Sequence, residues 1–498
     1  MRRTVRFGMV ALLFAGAVLA LGAAGQSEAA TGSYPLTWLT VGDTAARALG
    51  DEDRILATIE DITGVNLQMQ IVAEGGWDRV NVAIASGDLP DIVTGQLASA
   101  ATNQWIRDGI LVALNGYLPQ LPHIAERLEE ESWTAVDGKY YGYPFVNQKS
   151  TTNAALTTRS DWLENVGMEV PTTLEQFRDV LRAFVNDDPN RSGRADTYGI
   201  TTQGPIGTFN WAFYAYGVQY GDWALDDAGN PIPHHEHPGF RQGMVYLRSL
   251  WDEGLIDAEF MLNDRNLMEE KWYQGRAGYV TPALFRHVSR LESNLRAISP
   301  EAGLVYHSAP IGPEGHSGYA VTGKGGMFTG ITIGSRDPQK AAEFLDFFVS
   351  PEGFDLVTLG IEGIHFERTA DGGINYIEEE RALDNFATNG WAHPLAWGHV
   401  RWPLSENYLP MTEPARDRAI ESVEVATADQ VPNLIPYVTQ AEIEYGGVVD
   451  EIYEELFLEM LIGRKGVDEG IAELSRRWRN QGGDRIMEDV IQAYRELQ

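Results

Sequence analysis

The sequence predicts an α/β fold organised around parallel sheets. Between residues 34 and 93, short alternating apolar runs take turns with helical patterns in the order strand, helix, strand, helix, strand. That order is what right-handed crossovers onto one parallel sheet produce. The same alternation restarts near residue 155, so sheet signals lie on both sides of that point. An apolar share of 44% with 22% charged residues supplies the material for real cores.

Taken in order, 34–42 alternates as a first strand, and 51–63 reads as a helix ended by Gly64. Residues 65–72 alternate as a second strand, 78–86 form a short helix, and 87–93 turn into a third strand. Helical pieces follow at 104–109 and 115–118, and 137–144 reads as a tight hairpin with an aromatic rim. Residues 154–158 form the strand that reopens the pattern, with Ser160 capping a helix behind it. Thr172 or Thr173 caps the next helix, whose Leu174, Phe177, Val180, Leu181 and Phe184 share one face. Further on come a turn at 226–230, helices at 239–253 and 263–274, strands at 277–281 and 327–333, and a helix at 337–349. Three helical patterns at 440–463, 466–480 and 483–497 close the chain.

The chain of 498 residues has 38 basic and 71 acidic side chains, a formal charge of −33. Nucleic-acid binding needs a basic footprint, and docking on anionic lipid needs the same, so both are disfavoured. With no cysteine, thiolate catalysis, thiolate metal sites, disulfides and a lipid anchor on an N-terminal Cys are excluded. Arg2, Arg3 and Arg6, an apolar run over 7–21 and small residues to Ala29 read as a signal peptide spanning 1–29. The mature protein is therefore expected to be soluble and periplasmic or otherwise exported, with no later segment inserted in the membrane.

Several stretches carry a family resemblance: ASGDLPDIV (85–93), WIRDGILVALNGYL (105–118), DGKYYGYP (137–144), TTRSDWLENVGMEVPTTLEQF (157–177), LWDEGLIDAEF (250–260), FTGITIGSRDPQKAAEFLDFFVSPEG (328–353) and LGIEGIHFE (359–367). In this order the sequence resembles family 1 of the extracellular solute-binding proteins, the receptor component of ABC importers. It is most similar to the long oligosaccharide-binding subgroup that includes alginate-binding proteins. The resemblance implies a two-lobed periplasmic-binding-protein fold, a hinge of three crossing segments, and ligand in the cleft between the lobes. It implies ABC permease subunits as partners and a carbohydrate ligand captured by hinge closure. The crossings are expected near 150–157, 278–284 and 326–333, with Gly278, Gly325, Gly326 and Gly330 absorbing rotation. Lobe I is then 30–153 plus 281–328, and lobe II 154–280 plus 329–498.

Sugar rings stack on aromatic faces, and their hydroxyls take planar bidentate partners. Trp211, Trp223, Trp391, Trp397 and Trp402, in Gly/Pro-broken loops, are the candidate stacking residues, joined by Tyr141 and Arg159. Arg159 has a second reading as an ion pair with Asp161. Asp188, Asn190, Ser192 and Asp196 fall at positions one, three, five and nine of a calcium-loop spacing, with Gly193 at six and the Arg194 carbonyl at seven. Relatives of the resembled subgroup carry a structural calcium at a similar loop, with an acidic residue after the Asp matching Asp196. Here Thr197 stands there and Gly199 replaces the bidentate twelfth ligand, so a metal-free turn is the competing reading. The run from His234 to His237 lacks zinc spacing and reads as a solvated loop. No nucleophile elbow, His-Glu-x-x-His or dinucleotide fingerprint is present. A carboxylate-based polysaccharide-degrading enzyme and a solute-binding sensor feeding a signalling receptor are the alternatives to a carrier.

Overall fold

Strand β1 (Tyr34–Gly42) is buried on both faces, and this decides the architecture around it. Leu36 and Trp38 point to a core shared with the helices Arg54–Thr63 and Pro338–Val349. Leu39 and Val41 point the other way, toward the helices Trp77–Ala85 and Ala100–Arg107. A strand buried on both faces belongs inside a sheet covered by helices on both sides. The computed structural model describes residues 33–42, 53–73, 76–96, 99–130, 134–136, 138–146, 155–204, 209–221, 223–281, 291–320, 326–370, 374–384, 386, 417–418, 421–422, 424–425, 428, 430–435 and 437–498.

The first sheet joins β1 to β2 (Val65–Ala73), β3 (Ile92–Gln96), β4 (Tyr143–Val146) and, much later in the chain, β12 (Gly326–Ile331). Its order is β2-β1-β3-β12-β4. β1 runs parallel to β2 and β3, while β12 lies antiparallel between β3 and β4. The Phe328 ring of β12 sits in a slot made by three glycines. A Cβ on Gly95, Gly142 or Gly330 would come within 3.0, 2.5 or 2.9 Å of that ring.

The second sheet contains β5 (Thr157–Arg159), β6 (Tyr198–Ile200), β9 (Ala277–Val280) and β10 (Leu304–Tyr306), in the order β10-β5-β9-β6. Helix Leu174–Asn186 covers one face, capped by the Thr173 side chain, and lays Phe177 and Phe184 against Tyr279 at ring distances of 4.8 and 5.8 Å. Val280 turns to the opposite face, toward Met268, Trp272, Leu291 and Leu295. The hairpin of β7 (Trp223–Leu225) and β8 (Pro231–Pro233) turns on Asp226, whose carboxylate accepts the backbone N–H groups of Ala228 and Asn230. The helices Gln440–Leu461, Val467–Trp478 and Asp484–Glu496 close over it. Strand β11 (Tyr319–Ala320) pairs in parallel with Gln430–Val431.

The elements expected from the sequence recur closely: β1 with its predicted bounds, the helix stops at Gly64, Gly254 and Gly275 with positive φ, and all five residues of the 174–184 face buried. The lobe boundaries are corrected. β10 pairs with β5, so the stretch after residue 291 belongs to lobe II, not lobe I. Phe344, Phe348, Leu356, Val357 and Phe386 fill the core under β1, so 329–386 belongs to lobe I with 326–328, not to lobe II. The chain thus passes between the lobes between residues 146 and 155, between 320 and 326, and between 386 and 417. The expected crossing near 278–284 is replaced by the last of these, because β9 lies inside the second sheet. Gly278 is a packing glycine, since a Cβ there would meet Phe184 at 2.0 Å.

Gly142→Ala tests the Phe328 slot. The added methyl meets both the ring and the Thr329 carbonyl at 2.5 Å. We expect a loss of about 1–3 kcal/mol in urea unfolding, the usual cost of overpacking; an unchanged midpoint would show that the slot relaxes freely.

Candidate functional site

In a sheet of this kind ligands lie beyond the carboxyl ends of the parallel strands. In the first sheet that edge carries Gly42, Ala73 and Gln96, and register places the passage-side ends of β4 and β12 beside it, with Gly326 opposite Val146 and Met327 opposite Gln96. In the second sheet Thr157 pairs with both Val280 and Tyr306, so the start of β5 and the ends of β9 and β10 share one edge. The end of β6 joins them through the parallel pairing of Ile200 with Tyr279. The candidate site is therefore bounded by the two strand-end edges from which the chain passes between lobes.

The lobe II edge is polar and internally bonded. Thr202 and Thr281 share a hydroxyl–hydroxyl hydrogen bond of 2.8 Å just past β6 and β9. Beneath them the fully buried Asp257 carboxylate accepts from Thr201 Oγ1 at 2.7 Å, Asn263 Nδ2 at 3.1 Å and Lys271 Nζ at 2.7 Å. Burial pushes the Asp257 carboxyl up, but the hydrogen bonds from Lys271 and Thr201 outweigh it and hold it below the ordinary carboxylate range. A buried pair of this kind adds little net stability, because the lost solvation of both charges offsets their attraction. Beyond β10, His307 Nε2 lies 3.0 Å from Tyr279 Oη, and the His307 carbonyl accepts from Tyr319 Oη at 2.9 Å.

The expected site residues scatter. Trp211, on the short helix Asn210–Tyr214, is 3% exposed in the lobe II core, 5.1 Å from the Phe177 ring and 6.3 Å from Tyr246. Trp223 is equally buried and meets Trp478 edge-on at 6.3 Å. The expectation of open loop positions for these two is corrected, because helices distant in sequence cover them. Arg159 ends β5 on the side away from the passage, bidentate on Asp161 at 2.7 and 2.5 Å and over the Trp162 ring, so the ion-pair reading holds. Tyr141 precedes β4 at the end opposite Val146 and packs on the core around Phe328. Trp391, Trp397 and Trp402 lie outside the described residues, as does the stretch 1–29 expected to be a signal peptide. His235 is buried against Phe240 and Trp478, and His237 caps the helix Pro238–Asp252, so the histidine run is structural rather than solvated.

The loop at 188–196 brings its oxygens together. Ser192 Oγ lies 3.5 Å from Asp188 Oδ1, 3.4 Å from the Arg194 carbonyl and 3.0 Å from Asp196 Oδ1. Asn190 Nδ2 donates to Asp196 Oδ1 at 3.1 Å, and this bond leads the causes that hold the Asp196 carboxyl below its ordinary value. Thr197 turns inward to the Phe184 carbonyl, and a Cβ on Gly199 would meet the Leu255 carbonyl at 2.7 Å. Two carboxylates are thus present, and among the described residues no group of three or more His, Cys, Asp or Glu is arranged to hold a metal.

One pair imitates a catalytic dyad. His365 Nε2 lies 2.6 Å from Asp384 Oδ2, with both side chains buried. His365 Nδ1, however, accepts the Ile361 N–H at 2.8 Å, and Asp384 also takes Arg54. Nε2 is therefore the protonated nitrogen, and neither nitrogen has a lone pair free to take a substrate proton.

Comparison with known proteins fits this geometry. The profile of the family described as "Bacterial extracellular solute-binding protein" matches residues 41–353, more than half of the chain. This chain belongs to that family. Polygalacturonan/rhamnogalacturonan-binding protein YtcQ of Bacillus subtilis (strain 168) is 26% identical to this solute-binding protein over 460 residues, 89% of each chain. Among solved structures, the substrate-binding protein FusA of S. pneumoniae in complex with kestose has a TM-score of 0.71 at 19% identity, covering 93% of this chain and 99% of that one. Alginate-binding protein AlgQ2, solved without calcium ion, has a TM-score of 0.71 at 20% identity, covering 92% and 97%. The two-lobed fold is theirs and this chain's alike, and no helix among the described residues is long and apolar enough to cross a membrane.

The edge residues give a pH prediction. Burial lowers the His307 pKa to about 4. Unfolded, an imidazole titrates near about 6.5. The folded form binds fewer protons, so this stability is complete above about pH 6.5 and is lost as pH falls toward 4, a difference of about 3 kcal/mol. The urea midpoint of the wild type should fall more steeply between pH 6.5 and 4 than that of His307→Gln; parallel curves would refute it.

Proposed function

We propose that this protein is the exported substrate-binding component of an ABC importer, which captures an oligosaccharide between its lobes and hands it to membrane permease subunits. The observation that carries the reading is the family match over 41–353, supported by near full-length likeness to proteins named for glycans. Residues 1–29 serve as a cleaved signal. Catalysis is not part of the reading. Ligand contacts to both lobes favour the closed arrangement. Trp391, Trp397 and Trp402 are the proposed stacking platforms.

The test is a thermal-shift and calorimetry screen of the protein from residue 30 onward against neutral and acidic oligosaccharides. At about a hundred times its dissociation constant a ligand stabilises the fold by about 2.7 kcal/mol. Recovery of intact sugar identifies a carrier, released reducing ends identify an enzyme, and no shift with any glycan removes the carbohydrate reading. Once a ligand is found, Ala at any one of the three tryptophans should weaken it up to about tenfold, the affinity equivalent of a lost stacking contact.

We further propose that the 188–196 loop takes a structural calcium through Asp188, Asn190, Ser192, the Arg194 carbonyl and Asp196. The convergence of these oxygens around Ser192 Oγ supports it. Without the twelfth ligand the affinity belongs at the weak end of such loops. Added calcium should raise the melting temperature and a chelator reverse it; insensitivity to both, with no calcium by metal analysis, refutes the site.

A further inference from the structure

On the lobe II side the three passages of the chain meet at one strand end. The first arrives at Leu156, whose backbone N–H donates to Tyr319 Oη at 3.2 Å. The second departs just after Tyr319, whose hydroxyl donates in turn to the His307 carbonyl at 2.9 Å. The third arrives at Arg418, whose Nε lies 2.8 Å from Glu292 Oε1, while Tyr306 Oη donates to Glu292 Oε2 at 3.0 Å. Tyr306 ends β10 and His307 follows it. The second passage also continues from β11, which pairs with Gln430–Val431 downstream of the third. Leu156, Tyr306, His307 and Tyr319 are each at most 7% exposed, and Glu292 is 5% exposed, so water cannot readily replace these bonds.

We propose that Tyr306, His307 and Tyr319 form a positioning node that fixes the lobe II ends of the three passages, at Leu156, Tyr319 and Arg418, and so sets the spread of inter-lobe angles. None of the three is assigned a contact with ligand. The chemistry is geometric. A passage leaving a rigid root transmits lobe rotation through few conformations. A root with an unpaired buried N–H samples more of them. Binding to a protein with a broader open ensemble must order more of it, so affinity falls although no ligand contact is lost. The consequence for affinity rests on the carrier reading above; the consequence for inter-lobe angle does not.

The chain has no cysteine, so introduced pairs are labelled uniquely. Asp61→Cys in lobe I and Glu175→Cys in lobe II, both exposed, carry a donor and acceptor for single-molecule energy transfer. In this background Tyr319→Phe should broaden the inter-lobe distance distribution of the ligand-free protein. Glu292→Gln, which weakens the link from Tyr306 to Arg418 and leaves the Tyr319 bonds intact, should broaden it less. The control is Tyr246→Phe, which removes another buried lobe II hydroxyl, bonded at 2.7 Å to the Leu174 carbonyl and not part of the node. It should lower the melting temperature without altering the distribution. If glycan binding is established, Tyr319→Phe should raise Kd by about threefold to tenfold, with the conservative control unchanged. An unaltered distribution in Tyr319→Phe overturns the node, as does equal broadening in Tyr246→Phe. If Tyr319→Phe does not fold, Glu292→Gln decides by the same readout. Failure to bind any glycan would sink the carrier reading while leaving the ligand-free measurement decisive.

Discussion

Strand β12 enters the first sheet between β3 and β4, and Phe328 goes with it into a slot that three glycines keep open. Without that insertion β4 has no neighbour and β3 keeps an unpaired edge. The helices Pro338–Val349 and Pro351–Thr358 follow β12 directly and bring Phe344 and Phe348 beneath Trp38, at ring distances of 6.4 and 5.5 Å. One late strand therefore completes the sheet and delivers half of its covering layer. Interiors are packed to crystal density, so the absence of Cβ atoms at Gly95, Gly142 and Gly330 is as much a part of this interface as the ring they admit.

The two lobes solve the same problem with different chemistry. Lobe I covers both faces of its sheet with apolar helices. Lobe II does so too, but reserves a polar layer of hydroxyls around the buried Asp257–Lys271 pair for the strand-end edge. Each of these groups is matched, which suits an edge that must keep its shape while the neighbouring lobe moves. The lost solvation of Asp257 and Lys271 is offset only because Thr201 and Asn263 complete the set.

Local structure was largely readable in the sequence. Alternation in β1 and β2, the apolar face of 174–186 and the glycines that end helices are all short-range signals, and each appears where the pattern places it. What failed was non-local. The lobe to which 291–306 belongs is set by a strand whose partner, β5, is far back in the chain. Trp223 looked like a loop residue because the Trp478 that covers it comes from a closing helix. The third passage carries no strand signature, and Tyr306, His307 and Tyr319 sit in no recognisable motif. Arg159 was readable both ways, and the carboxylate two residues on settled it.

The order of segments has a consequence for how the protein matures. The sheet of lobe II is assembled from residues within 157–306, whereas that of lobe I waits for 326–331. A chain emerging amino end first therefore presents β3 with an open, apolar edge throughout the synthesis of the intervening lobe, the condition under which intermolecular strand pairing competes with folding. Delaying collapse until the whole chain is available removes that interval. A polypeptide kept unfolded by a holdase and released at full length would escape a hazard that its own topology creates.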